Sequence, residues 1–526
     1  MTVTGQSTVA SESGNALYLL FRKSQSSTIM NVNLLSEQRV IEDGYRTETS
    51  LEQWLVEDSF LEALPSDPSK ISVLKRNEHL NYLAKLLLEG LNKRYAVQDA
   101  SQPWLTFWIL QSFSLLGVLL DPGNKQKVIN TILAMQHPDG GFGGGPKQAP
   151  HILPTYAAIC TLAIVGRPGK GGGWDEINRK GLYNFFLSLK QPDGSFHVMR
   201  DGEVDIRGTY CLLAVSTMLN ILTPTLVEGV PDFVRSCQTY EGGFSCASYA
   251  RFMEGQLLSF PRPSLGEAHG GYTSCALASW VFLKPFWEGT STPSIDVKRT
   301  IRWLTKQQGG GANMGGFRGR TNKLVDGCYS WWVGGCFALL PALGIQIDSV
   351  PRHIDNADDA AHDNDSEWDD VEEELFNSQA LQDYIIYLAQ APSGGLRDKP
   401  QKSPDAYHTL YNLAGLSIAQ HRVRPVPSER DWIPQPGENL ILLKEKRILP
   451  ILSCKDDALD LDPSETADAR DARRKRVFTE VYWWKEQESL SQVKGGSINR
   501  VNATHPLFNL TVSHIQPMLS YFYGQP

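Results

Sequence analysis

A short segment in the middle of the chain concentrates side chains that can do chemistry. It reads GGFRGRTNKLVDGCYSWW and holds two arginines, a lysine, a carboxylate, a thiol and several aromatic rings. Asp326 and Cys328 stand two positions apart, and His408 begins a later predicted helix after the turn SPDAY. Oxygen, sulfur and nitrogen donors suit a catalytic zinc, which keeps its fourth position for substrate. Taken singly, the Asp also fits a helix N-cap and the Cys a small buried side chain, so the residues alone leave both interpretations open.

Positive and hydrogen-bonding side chains accumulate around the same segment. Arg320, Lys323 and Tyr329 lie within it, and His269 lies in the earlier motif EAHGGYTSC. Such donors suit a diphosphate leaving group, because negative charge grows on its bridging oxygen as the carbon–oxygen bond breaks. An exposed basic turn with a capping role is the competing interpretation.

A repeat organises the chain around these residues. A Gln followed by a Gly-rich turn and a large apolar residue recurs as Gln136-HPDGGF, Gln191-PDGSF, Gln238-TYEGGF, Gln307-QGGGANMGGF and the degenerate Gln390-APSGGL. The copies are far enough apart for one helix pair each, so the repeat predicts helical hairpins that share one kind of corner.

The segments between the corners have helical periodicity. They span 71–91, 104–120, 153–165, 183–189, 206–221, 273–286, 301–304, 328–343, 381–389 and 407–419. Several are apolar on most faces, as in WILQSFSLLGVLL and WVGGCFALLPALG, which indicates inner helices enclosed by others. The pattern predicts an all-α fold, an α/α toroid of about six inner and six outer helices around a central funnel.

Composition predicts how the chain is divided. We expect an N-terminal extension at 1–68 and a toroid domain at 69–523, interrupted by an acidic insertion at 346–376 and a long insertion at 424–496. The acidic segment has too little apolar surface to order itself, whereas short apolar runs in the second insertion favour packing of part of it on the toroid.

Charge and cysteine usage exclude several classes of protein. Net charge is −8 and the basic stretch at 470–476 is short, so neither a nucleic-acid-binding surface nor a polybasic membrane patch is expected. Apolar runs stay below the ~18 residues that span a bilayer, which predicts no membrane insertion. The eight cysteines form no C-x-x-C pair, which favours reduced thiols and a cytoplasmic location.

Several motifs together resemble the β subunits of protein farnesyltransferases, which are relatives of the geranylgeranyltransferase β subunits. They are DASQPWLTFWIL, HILPTYAA, DIRGTYC, EAHGGYTSC, FRGRTNKLVDG, DGCYSWW and PDAYHTLYNLAGLS. The resemblance covers about 72–345 and 378–423 and is weaker from 506 to the end.

The resemblance implies a role for each matching residue. Zinc, one ion per β subunit, is expected on Asp326, Cys328 and His408, and diphosphate against the catalytic residues His269, Arg320, Lys323 and Tyr329. The isoprenoid is expected along Trp332, Arg207, Tyr210, Tyr272 and Cys275, with Trp104 and Tyr156 at the pocket floor. The acceptor peptide is expected near Trp104, Trp108, His151 and Tyr407. Asp398 is expected to support Mg²⁺ on the diphosphate, the alternative being an exposed turn Asp.

The implied activity is transfer of farnesyl from farnesyl diphosphate to the cysteine of a C-terminal C-a-a-X peptide, in a heterodimer with an α subunit. A geranylgeranyltransferase type I β subunit is the nearest alternative, although the bulky Trp104 and Tyr156 favour 15 carbons. A terpene cyclase would need an acidic motif on the funnel wall, and the D-D-x-x-D at Asp456, Asp457 and Asp460 stands in the long insertion without a second acidic motif. A non-catalytic helical scaffold would leave the three predicted ligands without a metal.

Overall fold

The structure, a computed structural model, describes residues 47–64, 73–249, 252–253, 256–257, 262–287, 294–310, 313–345, 375–426 and 461–525. Most of the predicted N-terminal extension, nearly all of the acidic insertion and the D-D-x-x-D motif lie outside these residues. The domain boundaries therefore stay predictions.

Helices dominate the described residues. They are α1 (Glu48–Ala63), α2 (Arg76–Leu88), α3 (Gln102–Leu115), α4 (Pro122–Leu133), α5 (Ile152–Val165), α6 (Arg179–Leu189), α7 (Ile206–Met218), α8 (Pro224–Val227), α9 (Val230–Ser236), α10 (Gly270–Leu283), α11 (Val297–Thr305), α12 (Tyr329–Trp332), α13 (Gly334–Leu339), α14 (Ser378–Asp383), α15 (Ala406–Gln420), α16 (Ala467–Tyr482) and α17 (Val512–Tyr523). A π-helical segment, Tyr384–Ala389, continues α14, and 3-10 helices span Lys93–Ser101, Lys284–Phe286, Leu340–Leu343, Glu488–Leu490 and Ser497–Asn499. In this part of the chain, no helix has the length and apolar character needed to cross a membrane.

The strands are short and pair antiparallel. They are β1 (Ala247–Ser248) with β4 (Ser264–Leu265), β2 (Phe252–Met253) with β3 (Gln256–Leu257), β5 (Val423–Pro425) with β6 (Trp484–Glu486), and β7 (Thr504–His505) with β8 (Leu510–Thr511). They connect helices and form no extended sheet.

The inner helices close into a ring. In the described residues α3 packs on α5, α5 on α7, α7 on α10, α10 on α12 and α13, α12 on α15, and α15 back on α3. In α5 every residue except Leu153 is buried, because other helices enclose it on all sides. Six inner helices, with α12 and α13 counted as one broken helix, confirm the predicted core of the toroid.

The outer helices are amphipathic. They are α2, α4, α6, α9 with its short neighbour α8, α11, and α14 with its π-helical continuation. In α11, for example, Thr300, Trp303 and Leu304 are buried while Lys298 and Arg299 are exposed. Within the described residues this makes six outer helices, which confirms the predicted α/α toroid.

Each corner contains one antiparallel bridge, and in four of the five the bridging residue is a glutamine. The bridges join Gln136 to Phe142, Lys190 to Phe196, Gln238 to Phe244, Gln308 to Phe317 and Gln390 to Leu396. In two copies the bridging residue is therefore Lys190 or Gln308, one position away from the Gln191 and Gln307 of the predicted repeat. Adjacent polar residues made that register ambiguous in the sequence.

The corner glutamines position the next outer helix. The side-chain oxygen of Gln238 accepts the N–H of Asp296, which caps α11, at 2.9 Å, and that of Gln308 accepts the N–H of Asn377, which caps α14, at 2.8 Å. Gln390 does the same for Lys75 before α2, at 2.7 Å. The fifth corner thereby ties the last outer helix to the first, which closes the ring.

Part of the predicted long insertion packs on the toroid. Helix α16 buries Val477, Phe478 and Val481 against α10 and α17. The ion pair of Arg473 with Glu465 has both side chains 7% exposed, and Arg473 also donates to the carbonyl of Leu222. This segment, together with α17, covers one end of the ring.

Candidate active site

The starts of five of the six inner helices, all except α3, each contribute one capping side chain to a common rim. His151, Asp205, His269, Asp326 and Asp405 each accept a backbone N–H from the first turn that follows them. We call these five residues the rim caps. Side chains of their helices link three neighbouring pairs: Arg207 lies over Tyr272, Tyr329 hydrogen-bonds to His269, and His408 lies against Asp326. The closed ring therefore brings together residues that are far apart in sequence.

Asp326, Cys328 and His408 meet at this rim. Their candidate ligand atoms all lie within 4.8 Å of one another, and His408 Nε2 is 3.3 Å from Asp326 Oδ1. Asp326 Oδ1 also accepts the Cys328 N–H at 2.9 Å. Asp326 can therefore cap this turn and serve as a metal ligand at the same time. A carboxylate, a thiol and an imidazole in this arrangement fit a zinc ion with one open position.

Residues 397–398 of the fifth corner hold the segment of Asp326 and Cys328 close to the helix of His408. The carbonyl of Asp398 accepts the N–H of Gly327 at 2.9 Å, next to both Asp326 and Cys328. The side-chain amide of Asn412 donates to the carbonyls of Arg397 at 3.1 Å and His408 at 2.8 Å. Residues 397–398 therefore contact both the turn that carries Asp326 and Cys328 and the helix that carries His408.

Charge is concentrated around His408. Burial alone would lower the pKa of His408, but hydrogen bonds to Asp326 and Asp405 raise it above its usual range. Burial alone would raise the pKa of Asp326, but its contacts with His408 and Cys328 lower it. Burial raises the pKa of the Cys328 thiol. An imidazole between two carboxylates attracts positive charge, either a proton or a metal ion.

A second group on the rim can donate hydrogen bonds to an anion. His269 Nδ1 accepts the Gly271 N–H at 3.0 Å, which leaves Nε2 to donate to Tyr329 Oη, also at 3.0 Å. Burial, then the charges of Arg320 and Arg207, lower the pKa of His269 to about 4, so the ring is neutral. With its oxygen accepting from His269, the Tyr329 hydroxyl hydrogen is free to donate to a ligand.

Arg320 and Lys323 lie at the exposed edge of the same rim. Arg320 pairs with Glu267 at 2.6 Å, with side chains 41% and 51% exposed. Lys323 is exposed, and its ammonium has no partner among the described residues. Both cations are therefore accessible to a ligand that approaches the rim.

The predicted isoprenoid residues form an aromatic wall below the rim. Arg207 is held by both oxygens of Asp205 and lies over the Tyr272 ring at 5.5 Å. The ring centroids of Trp104 and Tyr156 are 5.6 Å apart, and the Tyr156 hydroxyl is 3.2 Å from that of Tyr210. The remaining members, Cys275 on α10 and Trp332 on α12, are buried and half-buried respectively.

Two of the predicted peptide residues, Trp108 and Tyr407, lie beside the metal cluster. The ring centroids of Trp108 and Tyr407 are 5.4 Å apart, and the Tyr407 hydroxyl accepts a hydrogen bond from Trp332 Nε1 at 3.0 Å. His151 is half-buried on the rim, where burial lowers its pKa. A pocket of about 600 Å³ opens beside the cluster and is lined by Tyr82, Asn92, Tyr95, Gln98, Trp108, Ser403, Pro404, Asp405, Tyr407 and His408.

Asp398 is not an exposed turn residue. Its side chain is 17% exposed and pairs with Lys399, while its Oδ1 is buried and has no hydrogen-bond partner among the described residues. Burial and the charge of Asp326 raise its pKa. A carboxylate oxygen without a partner, close to the metal cluster, fits a cation-binding role.

Sequence reasoning missed three contributors. Asp405 holds the His408 ring, the Tyr411 ring packs at a tilt against Trp332 with centroids 4.7 Å apart, and the carbonyl of Phe508 accepts the Tyr156 hydroxyl at 2.8 Å. The spacing of Asp405 three residues before His408, at a predicted helix start, was an available signal for the first. The contact with Phe508 spans most of the chain and had no local signal.

Comparisons with known proteins agree with this architecture. The prenyltransferase α/α toroid domain family matches residues 74–510. The protein farnesyltransferase β subunit of Pisum sativum is 38% identical over 360 residues, which is 62% of this chain and 79% of that protein. The corresponding subunit of Pyricularia oryzae is 35% identical over 404 residues, 71% of this chain and 70% of that protein.

A solved structure shares the fold. Candida albicans protein geranylgeranyltransferase-I, complexed with GGPP, superposes with a TM-score of 0.50 at 21% identity, over 66% of this chain and 91% of that one. The chain is therefore a prenyltransferase of the α/α toroid family and belongs to the β subunits of protein farnesyltransferase.

Proposed function

We propose that this chain is a catalytic subunit that transfers the farnesyl group of farnesyl diphosphate to the cysteine thiol of a C-terminal C-a-a-X motif. The observation that carries the proposal is the meeting of Asp326, Cys328 and His408, within 4.8 Å, at the rim of an aromatic-lined funnel. No side chain of the site acts as nucleophile, because the acceptor's own thiol fills that role.

Asp326, Cys328 and His408 would hold zinc, which when bound would supply the positive charge that lowers the pKa of a substrate thiol and favours its nucleophilic thiolate. Each ligand is oriented before the substrate arrives. Asp326 is fixed by the Cys328 N–H and His408 by Asp405, while the carbonyl of Asp398 holds Gly327. Rigid ligands favour a single site geometry.

Lys323, Arg320, His269 and Tyr329 stabilise the departing diphosphate. Negative charge grows on its bridging oxygen in the transition state, and donors aimed at that charge lower the barrier. Neutral His269 keeps the Tyr329 hydroxyl turned outward, and the accessible ammonium of Lys323 supplies full positive charge. Asp398, with one buried oxygen lacking a protein partner, supports Mg²⁺ on the same diphosphate.

The aromatic wall sets the length of the isoprenoid. Tyr156 is fixed from two sides, by the carbonyl of Phe508 at 2.8 Å and the Tyr210 hydroxyl at 3.2 Å, and Trp104 packs against it. A floor fixed in this way resists displacement by extra carbons. It favours the 15-carbon chain over the 20-carbon chain.

The acceptor peptide occupies the space beside the metal cluster. Trp108 and Tyr407 line the pocket of about 600 Å³, which has room for several residues of an extended peptide. Trp104 packs against Trp108, with ring centroids 5.8 Å apart, and His151 lies on the rim. The cysteine of the peptide would then lie next to His408.

We further propose that the chain works in the cytoplasm as a heterodimer with a prenyltransferase α subunit. The names of the relatives, each a subunit β, support a partner chain. The cysteines of the described residues are all unpaired, which favours a reducing compartment.

The test is to co-express the full chain with an α subunit and measure bound zinc and prenyl transfer together. Farnesyl and geranylgeranyl diphosphates compete for one C-a-a-X peptide. We expect about one zinc per heterodimer and preferential farnesyl transfer. Zinc-free protein with full activity would contradict the mechanism, and preferential geranylgeranyl transfer would favour the type I geranylgeranyl alternative.

A further inference from the structure

We propose that Asp405 is a positioning residue that sets the tautomer and orientation of His408 for metal binding. The inference rests on the proposed zinc site. It adds to that site a residue whose side chain is not itself one of the three ligands.

The two carboxylate oxygens of Asp405 do different things. Oδ1 accepts the backbone N–H of His408 at 2.7 Å and so caps α15, while Oδ2 lies 2.7 Å from ring atom Nδ1 of the same histidine. The opposite ring nitrogen, Nε2, lies 3.3 Å from Asp326 Oδ1 within the metal cluster. The carboxylate therefore stands behind the ring, on the side away from the proposed ion.

A carboxylate fixes which nitrogen carries the proton. An ionised Asp only accepts hydrogen bonds, so Nδ1 must carry the hydrogen. A neutral imidazole protonated at Nδ1 presents the Nε2 lone pair, which is the atom needed as a ligand. Carboxylates in this position behind metal-binding histidines also increase the basicity of the ligand.

Asp405 is itself held in place by the fifth corner. Its backbone pairs with Leu396, the N–H of the next residue donates to Tyr95 Oη at 3.1 Å, and its carbonyl accepts the Thr409 hydroxyl at 2.6 Å. The backbone of Asp405 therefore has little freedom, although its side chain is 38% exposed. An oriented carboxylate follows from the fold and does not depend on the metal.

Another rim cap uses its second oxygen in the same way. Asp205 caps α7 through Oδ1, which accepts the Arg207 N–H at 2.7 Å, and its Oδ2 holds the Arg207 guanidinium at 2.6 Å. In both helices one oxygen starts the helix and the other orients a functional side chain in the first turn. Exposed Asp121, which caps outer helix α4, also uses its second oxygen locally, but on Asn124, remote from the rim.

The test is Asp405→Asn in the full chain co-expressed with the α subunit. An Asn keeps one oxygen to cap α15, and its NH₂ then faces Nδ1, which demands the tautomer with hydrogen on Nε2. Zinc affinity, measured by competition with a chelator, should fall roughly 10- to 100-fold. The Tm of the zinc-free protein should stay close to that of wild type. The matched control is Asp121→Asn, which should leave zinc affinity unchanged.

The outcomes separate this inference from the proposed function. If wild type binds zinc and Asp405→Asn binds it within about twofold, Asp405 is only a cap and the inference is overturned. A weaker affinity accompanied by a fall in Tm well beyond that of Asp121→Asn would also overturn it, in favour of a folding role. Failure of the wild-type protein to bind zinc would instead overturn the proposed function.

Discussion

Two sets of helix N-caps in this molecule use similar residues and have different consequences. The outer helices begin at Asp121, Asn178, Asp296 and Asn377, which are all exposed. The rim caps of the inner helices are partly or fully buried and lie beside one another's helices. Four of the five rim caps accept the N–H two positions on, and the outer caps accept the N–H three positions on. Both sets cap a first turn, so the chemistry of the rim comes from ring closure, which buries the caps and supplies neighbours.

The largest expected effect comes from removing the sulfur at the rim. Cys328→Ala should abolish stoichiometric zinc binding and slow prenyl transfer by about 10³-fold or more, because activation of a nucleophile by a metal contributes several kcal/mol. The matched control is Cys237→Ala, which removes a buried thiol next to outer helix α9. Equal zinc content in the two variants would contradict the claim that Cys328 on the rim binds zinc and Cys237 does not.

The next effect concerns positive charge at the rim. Lys323→Ala should lower the single-turnover rate by about 10²- to 10³-fold and leave peptide affinity nearly unchanged, since its donor acts on charge that grows in the transition state. Lys298→Ala, an exposed lysine on outer helix α11, serves as the control. An unchanged single-turnover rate in Lys323→Ala would remove this lysine from the mechanism.

At Tyr156, below the rim, the size of the side chain should affect selectivity for isoprenoid length more than its hydroxyl does. Tyr156→Ala should shift the preference for farnesyl over geranylgeranyl diphosphate by about tenfold toward the longer chain, because it opens the funnel floor. Tyr156→Phe keeps the ring and should shift it much less. A competition assay with both diphosphates measures the shift, and equal selectivity in all three proteins would place the chain-length limit elsewhere.

Burial of a rim cap should also appear in the pH dependence of stability. The pKa of His269 is lowered to about 4 in the folded protein, against about 6.5 when unfolded, so its contribution is complete above pH 6.5 and is lost as pH falls toward 4. His269→Asn retains a capping side chain and should weaken this dependence, by at most about 1.4 kcal/mol per pH unit. The free energy of unfolding at pH 7 and pH 5 measures this dependence. The same change between the two pH values in wild type and variant would contradict the lowered pKa of His269.

The smallest effect is expected at an outer cap. Asp121→Ala removes the acceptor for the Asn124 N–H and should lower the free energy of unfolding by about 1 kcal/mol. Zinc content and the rate of prenyl transfer should not change. A loss of activity in correctly folded Asp121→Ala would show that outer caps also act on the site.

Helical periodicity and the corner repeat were enough to predict the toroid and its two layers. Both signals are local, since each unit buries its own apolar face and turns at its own Gly. Gly140, for instance, adopts φ +111°, and a Cβ there would lie 2.0 Å from the backbone of Gly181. The resemblance then identified the three residues that the structure brings together as candidate ligands.

Contacts between residues far apart in the chain could not be predicted from the sequence. Tyr156 and Phe508 lie more than 300 residues apart, and nothing near either indicates that one holds the other. The burial of Asp398 depends on the packing of the fifth corner, and GGLRDKP alone indicates an exposed turn. The role of Asp405 was missed because SPDAY was interpreted only as the turn before the helix of His408.

X-ray absorption at the zinc edge of the purified heterodimer tests the central claim most directly, because it counts the atoms around the metal. We expect one sulfur at about 2.3 Å and nitrogen or oxygen ligands at about 2.0–2.2 Å, with a second sulfur when a C-a-a-X peptide is added. A metal without a sulfur ligand, or a coordination sphere that the peptide thiol does not enter, would contradict the account.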